Sequence, residues 1–310
     1  MRVTLIHNPG SGDDSHPSRG QLEALIKEAG HKVRYQSVRE RGWSKALKKQ
    51  TDLVAVAGGD GTVGKVVRRL VGRGIPVAVL PIGTANNIAS TLGIAGLSVM
   101  QLIPSWASSR HLAFDAGAAK GPWGSRYFVE AVGVGMFSTA MGQIDEDRTL
   151  EQLPNAEVRV TYTLQLLREF LVDCKTTRLK ASIDGKDISG DYLLFEAMLM
   201  RYIGPNLDLA PNVDPDDGAF DVVLVAEKDR SKLHEHLGEW QEGNPWPAEF
   251  RTLRGAHLEL QWTGFPIHID DKRLPAKGRK KSTKARPVEL TIERKAIDFL
   301  VPKDLASALR

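Results

Sequence analysis

The segment that most narrows what this chain can become is Leu53-Val54-Ala55-Val56-Ala57, which runs directly into Gly58-Gly59-Asp60-Gly61-Thr62. A short unbroken apolar run bounded by glycine reads as a strand covered on both faces, because a half-exposed strand would alternate polar and apolar positions. Beyond the glycines, Val63, Val66, Val67 and Leu70 recur at helical spacing. The loop is therefore a turn from a buried strand into an amphipathic helix, and such a strand needs a covering layer on each side. That requirement predicts an α/β fold with a parallel sheet.

The alternation extends in both directions. Val3 to Asn8 predicts a strand ending at the polar loop Pro9-Gly10-Ser11-Gly12-Asp13-Asp14. A helix follows, with Pro17 suited to its first turn, Leu22, Leu25, Ile26 and Ala29 on one face, and Gly30 suited to its end. Lys32 to Ser37 predicts a strand, Trp43 to Lys49 a short basic helix, Ile75 to Leu80 a strand and Ala85 to Leu92 a helix. From about residue 110 the texture changes to short strand-like runs: His111 to Ala116, Tyr127 to Val132, Leu179 to Ile183, Tyr192 to Met200, Phe220 to Val225 and the late Val288 to Ile292. Helical spacing returns in Tyr162 to Leu171 and Ser231 to Gly238. Two domains are expected: an α/β unit over residues 1–110 and a β-rich unit over 111–295, with 296–310 free to pack back on the first.

At 310 residues and 42% hydrophobic content the chain can bury a sizeable core. A formal charge of +4 is too small over this length to indicate nucleic acid. Cys174 is the only cysteine, so an intramolecular disulfide and a thiolate metal cluster are excluded, and a reducing cytoplasm fits. Val3 to Ile6 reaches His7-Asn8-Pro9 at once, leaving no room for a signal-peptide core, so export is not expected. No run reaches the ~18 apolar residues of a membrane span, so a membrane substrate would be met from the surface. Lys272 to Arg286 carries eight basic residues and no acidic one. That density suits anionic headgroups, at about 1 kcal/mol per cation near an acidic bilayer, and it equally suits a solvated face. It lacks the interleaved aromatics of a nucleic-acid surface.

Right-handed crossovers would collect the exits of the parallel strands on one sheet edge, where ligands bind. Gly58, Gly59 and Gly61 let backbone N–H groups approach phosphate oxygens, Asp60 can hold a magnesium ion bridging ATP oxygens, and Thr62 can donate its hydroxyl or cap the helix. Asn8, Pro9, Ser11 and Gly12 bring an amide and backbone donors, while Gly83, Thr84 and Asn86 place polar groups before a helix. Ser37, at a neighbouring strand end, completes the expected nucleotide contacts. Each loop alone also reads as a tight turn or a helix cap.

Taken in order, Asn8-Pro9 with Ser11-Gly12, Gly58 through Thr62, Pro81-Ile82-Gly83-Thr84-Ala85-Asn86, and Ala210-Pro211 followed by Asp217-Gly218 resemble the diacylglycerol kinase catalytic family. The likeness is to its soluble bacterial lipid kinase branch, related to the sphingosine kinases, and it spans most of the chain. It implies an N-terminal nucleotide-binding α/β domain, a C-terminal β-sandwich, and ATP and lipid meeting in the cleft between them. The implied reaction is Mg2+-dependent phosphorylation of a hydroxyl of diacylglycerol or a related lipid, by a cytoplasmic enzyme that associates reversibly with the membrane. The resemblance also implies a metal site at Asp214, Asp217 and the Ala219 backbone, with Asp115 near the catalytic magnesium. Oligomeric state stays open, a homodimer included.

The pattern departs in two places. Family members commonly carry Glu at the end of an Asp-Gly-Glu segment, and here the chain reads Ile269-Asp270-Asp271-Lys272. A charged Lys272 cannot accept a proton, so Asp271 is the expected substitute and, with Asp60, the expected catalytic pair. Asn87 stands where members often have Asp. Two alternatives remain: an NAD kinase-like enzyme, whose glycine loop is similar but whose usual Asn-Glu pair is missing here, and a nucleotide-binding regulator or lipid-binding protein with a degenerate site.

Overall fold

The structure is a computed structural model that describes residues 1–12, 16–244, 246, 249–275 and 284–303. The chain opens with β1 (Arg2–His7), α1 (Arg19–Glu28), β2 (Lys32–Ser37), β3 (Leu53–Gly58), α2 (Asp60–Val67), β4 (Val77–Pro81), α3 (Asn87–Thr91) and α4 (Val99–Ser105). The strands run parallel in the order β4-β3-β1-β2. Every residue of β3 is buried, which is why it could be apolar throughout. α1 starts at Arg19, two residues beyond Pro17, which therefore lies outside the first turn; the N-cap Ser18 makes a reciprocal cap in which its N–H donates to Gln21 Oε1 at 2.8 Å. It buries Leu22 and Ile26. The expected basic helix is a 3-10 turn over Trp43–Lys48.

The second half holds β5 (Arg110–Gly121), β6 (Gly124–Phe128), β7 (Ala131–Gly135), α5 (Met136–Ile144), α6 (Thr149–Gln152), α7 (Ala156–Asp173), β8 (Thr177–Leu179), β9 (Ala181–Ile183), β10 (Lys186–Asp187) and β11 (Gly190–Met198). It continues through β12 (Tyr202–Ile203), β13 (Leu207–Asp208), β14 (Phe220–Ala226), α8 (Arg230–Gln241), β15 (Arg251–Gly255), β16 (Leu258–Trp262), β17 (Ile267–Ile269), β18 (Lys272–Leu274) and β19 (Arg286–Val301). β15-β14-β11-β7-β17-β18 form an antiparallel sheet, with β8 also on β11. The opposing layer is built on β19, which pairs with β5 and β16. Phe128, Phe195, Phe220 and Trp262 fill the space between the two layers of this β-sandwich. The outer face of the seven-stranded sheet is covered by α5, α7 and α8 through Phe137, Leu164, Leu167, Leu233 and Leu237.

β19 joins the two halves. Its last residues pack in the N-terminal core, where Phe299 lies beside Val77 of β4. A register shift between Glu293 and Ile297, with Lys295 at φ +49°, bends the strand within its ten-stranded sheet, from the sandwich layer beside β16 toward β4. The run expected as Val288 to Ile292 is thus 16 residues long.

Two expected strands are divided. Tyr127 to Val132 breaks at Val129 and Glu130, leaving β6 and β7 in different sheets, and Leu179 to Ile183 breaks at Lys180 in the same way. A run of β-forming residues does not reveal a chain that changes layers partway. α5 was not expected at all, because its apolar residues follow β7 with no polar spacer. Gly135, at φ +101°, makes the turn between them.

Candidate functional site

β1, β3 and β4 end on one edge, in registers that set His7 beside Ala57 and Gly58 beside Pro81. Their three exit loops touch. Asn8 Nδ2 donates to Thr62 Oγ1 at 3.3 Å. Gly59 and Gly83 lie back to back: a Cβ on Gly59 would come within 3.0 Å of the Gly83 Cα. A Cβ on Gly12 would come within 2.6 Å of the Ile82 carbonyl oxygen. Glycine is needed at these points because backbone occupies the side-chain space. Asn86, at φ 55°, folds its amide back on Gly83, accepting from its N–H at 3.0 Å and donating to its carbonyl at 2.9 Å. Ser37 ends the adjacent β2 opposite His7, and its hydroxyl accepts from Arg39 N at 3.2 Å. Pro9 is exposed, and Ser11 N closes the first loop onto Asn8 O at 3.0 Å.

Asp60 lies in the first turn of α2, and its Oδ1 accepts from Ile88 N at 2.9 Å. The carboxylate therefore ties the glycine loop to α3. Burial raises its pKa, opposed by the amides of Ile88, Asn87 and Asn86. Asn87 donates to Gly204 O at 3.0 Å, joining this edge to the β12–β13 hairpin.

Across from the glycine loop stands the β17–β18 turn. Asp270 is buried there, accepting from Glu130 N at 2.9 Å and Val129 N at 3.1 Å and pairing with Arg68. Asp271 Oδ1 pairs with the same guanidinium at 3.1 Å, and its Oδ2 lies 3.5 Å from where a Gly61 Cβ would be. Lys272 is exposed at the start of β18. Burial raises Asp270 although Arg68 and the two amides pull it down. Burial would lower Arg68, and the two aspartates outweigh it. Beneath the turn, His268 Nε2 meets Glu196 Oε2 at 2.8 Å, both buried, and His268 Nδ1 lies 3.1 Å from Asp270 O. Burial pushes Glu196 up; burial would lower His268, but Glu196 and the Asp270 carbonyl raise it. Glu130 is pushed well above the usual carboxylate range, first by burial and then by Asp60, Asp270 and Asp271.

These groups form the polar end of a cavity of about 290 Å³. Asp60, Gly61, Thr84, Glu130, His268, Asp270 and Asp271 are among its polar lining, and Phe137, Met141, Ile144, Val160 and Leu167 are among its apolar lining. The apolar wall is made by α5 and α7.

The aspartates expected as metal ligands gather elsewhere. Asp115 accepts from Gly218 N at 2.7 Å and Lys295 N at 2.6 Å, so it fastens the 214–219 loop to the bend in β19. Asp217 accepts from Ala219 N at 2.9 Å and pairs with Arg254, and Asp214 accepts from Asp216 N at 3.3 Å. Asp221 is raised to about 6 by burial and by Asp214; its Oδ2 makes no hydrogen bond among the described residues but lies 3.7 Å from Arg254 Nε, the guanidinium that also pairs with Asp217. The carboxylate oxygens of Asp214, Asp217 and Asp221 are the ligand type of a hard divalent cation that keeps water ligands, and such an ion would take the place Arg254 now holds beside Asp217 and Asp221. Among the described residues no three acidic or histidine groups converge into an all-protein cage. In the basic segment expected over 272–286, residues 276–283 lie outside the described residues.

Arg68, Glu130, Glu196 and His268 escaped the sequence reading. A signal existed: Glu196 interrupts Leu193-Leu194-Phe195 and Ala197-Met198, and His268 stands between two isoleucines. A lone ionisable residue inside a buried strand needs a partner, and each is the other's.

Two family models match the chain: a diacylglycerol kinase catalytic domain over residues 2–119 and a YegS C-terminal NAD kinase beta sandwich-like domain over 134–300. A diacylglycerol kinase of Bacillus subtilis (strain 168) is 25% identical over 268 residues, covering 84% of this chain and 81% of that protein. The crystal structure of a diacylglycerol kinase from Bacillus anthracis str. Sterne superposes with a TM-score of 0.71 at 17% identity, over 98% of both chains. Yeast NADH kinase, solved with NADH, reaches a TM-score of 0.52 at 11% identity, over 100% of this chain and 86% of that one. The chain belongs to the diacylglycerol kinase catalytic family. Among its described residues no helix is long and apolar enough to cross a membrane.

Proposed function

We propose that this family member transfers the γ-phosphate of ATP, with Mg2+, to a hydroxyl of diacylglycerol or a related lipid. One observation carries the reading: a single cavity reaches from the glycine loop to an apolar wall of Phe137, Met141, Ile144, Val160 and Leu167. A phosphate belongs at the first end, where α2 begins and glycine leaves backbone donors accessible. An acyl chain belongs at the second, where a dinucleotide would leave its polar groups unpaired. The name of the Bacillus subtilis relative supports the same acceptor. The NADH kinase likeness is one of fold.

In this reading Asn8, Ser11, Gly12, Ser37, Thr62, Thr84 and Asn86 surround the nucleotide, with the glycine-loop amides on its phosphates. Asp60 and Asp271 face the transferred group from opposite sides. Asp214, Asp217 and the Ala219 backbone would hold a magnesium ion, with Asp115 fixing their loop. At the nucleotide, where Asp60 would hold it, magnesium would supply charge that screens the phosphate oxygens during transfer. The lipid is met at the cytoplasmic membrane surface.

The test is purified protein with labelled ATP and Mg2+, offered dioleoylglycerol in mixed micelles, other lipid extracts, NAD, or no acceptor. Label in the lipid, lost in Asp60→Ala, is the expected result. Transfer to NAD alone would overturn the lipid assignment, and ATP binding without transfer to any acceptor would favour a regulatory protein.

A further inference from the structure

We propose that Glu130 takes the proton from the attacking hydroxyl, the task for which Lys272 is unsuited. This rests on the kinase reading above. Glu130 lies in the two-residue passage between β6 and β7, where the chain changes sheets. Its backbone is held from both sides: its N–H donates to Asp270 Oδ1 at 2.9 Å, and its carbonyl accepts from Leu199 N at 2.9 Å. The side chain is only 8% exposed and lines the cavity where Asp60, Gly61 and Thr84 meet the apolar wall.

What separates Glu130 from its neighbours is its lack of partners. Asp60 accepts from Ile88 N, Asp270 is held by two amides and Arg68, Asp271 by Arg68, and Glu196 by His268. Among the described residues nothing donates to the Glu130 carboxylate, and Arg68, the nearby cation, is engaged by Asp270 and Asp271. The Glu130 oxygens open onto the cavity, where water or a substrate hydroxyl can donate to them. A substrate hydroxyl entering along the apolar wall provides the missing donor. Burial and the charges of Asp60, Asp270 and Asp271 also raise the proton affinity of Glu130, so its ionised form takes a proton more readily while a smaller share of it is ionised before the substrate arrives.

The step balances. The acceptor O–H donates to Glu130; as the new O–P bond forms, the P–O bond to the nucleoside diphosphate breaks and its electron pair leaves with that product. The proton stays on Glu130 and passes to water after release. Asp271, fixed by Arg68, orients the hydroxyl.

The experiment compares wild type with Glu130→Gln, using labelled ATP, Mg2+ and dioleoylglycerol in mixed micelles, with NAD as a second acceptor. The expected result is a fall in kcat of about 10²–10⁴-fold, the usual worth of a general base, with the KM for ATP within about threefold of wild type. A kcat within tenfold of wild type overturns the assignment while leaving the lipid kinase reading intact. If wild type uses NAD alone, the lipid reading falls and the same comparison on NAD judges Glu130. If wild type transfers to neither acceptor, both fall. If Glu130→Gln loses ATP binding, Glu130→Asp decides: lowered kcat with ATP binding intact supports the role, and unchanged kcat overturns it.

Discussion

Replacing Asp270 by asparagine removes a charge from the most enclosed point of the site. The Asp270 side chain is 1% exposed, and it gathers Arg68 and the N–H groups of Val129 and Glu130. Asparagine keeps the volume but turns an NH2 group toward a set made only of donors, so at least one donor meets another. Arg68, 15% exposed, would keep only Asp271 as counter-charge. Breaking a buried pair from one side costs about 3–5 kcal/mol. At about 2 °C per kcal/mol for a chain of this size, Tm should fall by roughly 6–10 °C. Asp271→Asn is the internal control, since it touches the same guanidinium at 3.1 Å from a side chain that is 30% exposed. Solvent screening limits that loss to about 0–1 kcal/mol, or roughly 2 °C. Thermal unfolding followed by circular dichroism reads both variants. If Asp270→Asn unfolds within 2 °C of wild type, or Asp271→Asn is equally damaging, burial does not govern the strength of this cluster.

Two further outcomes follow from single contacts. Gly83→Ala pushes a methyl group into the Gly59 backbone, whereas a Cβ on Gly96 meets nothing within 4 Å; overpacking of about 1–3 kcal/mol should weaken ATP binding by about tenfold in the first variant and leave it unchanged in the second, as measured by calorimetry. His236 is buried among Trp240, Trp246 and Phe250 and is lowered to about 4 by burial and by Lys232. A depressed histidine stabilises the fold above its unfolded pKa and loses that contribution as the pH falls from about 6.5 toward 4, so the unfolding free energy from denaturant titration should drop by about 1–2 kcal/mol between pH 7 and 5. His236→Phe should flatten that slope, and an unchanged slope would show that His236 does not cause it.

Much of the fold was legible because its signals are local. The apolar run ending at Gly58, the helical spacing from Val63 to Leu70 and the polar exits after β1 and β4 lie within a few residues of one another. Strand pairing then brings those exits together, since parallel neighbours end at the same edge. Besides α5, whose apolar residues follow β7 without a break, the elements misread depend on distant partners: the passage at Val129 and Glu130, and β19, whose far end is set by packing beside Val77.

The donor side of the site follows the same division. Gly59 and Gly83 could be picked out in sequence because a backbone close approach demands glycine whatever surrounds it. The sequence alone also marked Lys272 as a residue that cannot serve as a base. It could not say where another carboxylate stands, because Arg68 and Asp270 meet across 202 positions and Glu196 and His268 across 72. Whether an acidic residue is buried, paired or left open to a cavity depends on the whole of the surrounding protein. Tertiary structure alone set Asp60 against α3, tied Asp271 to Arg68 and left Glu130 facing the cavity without a donor.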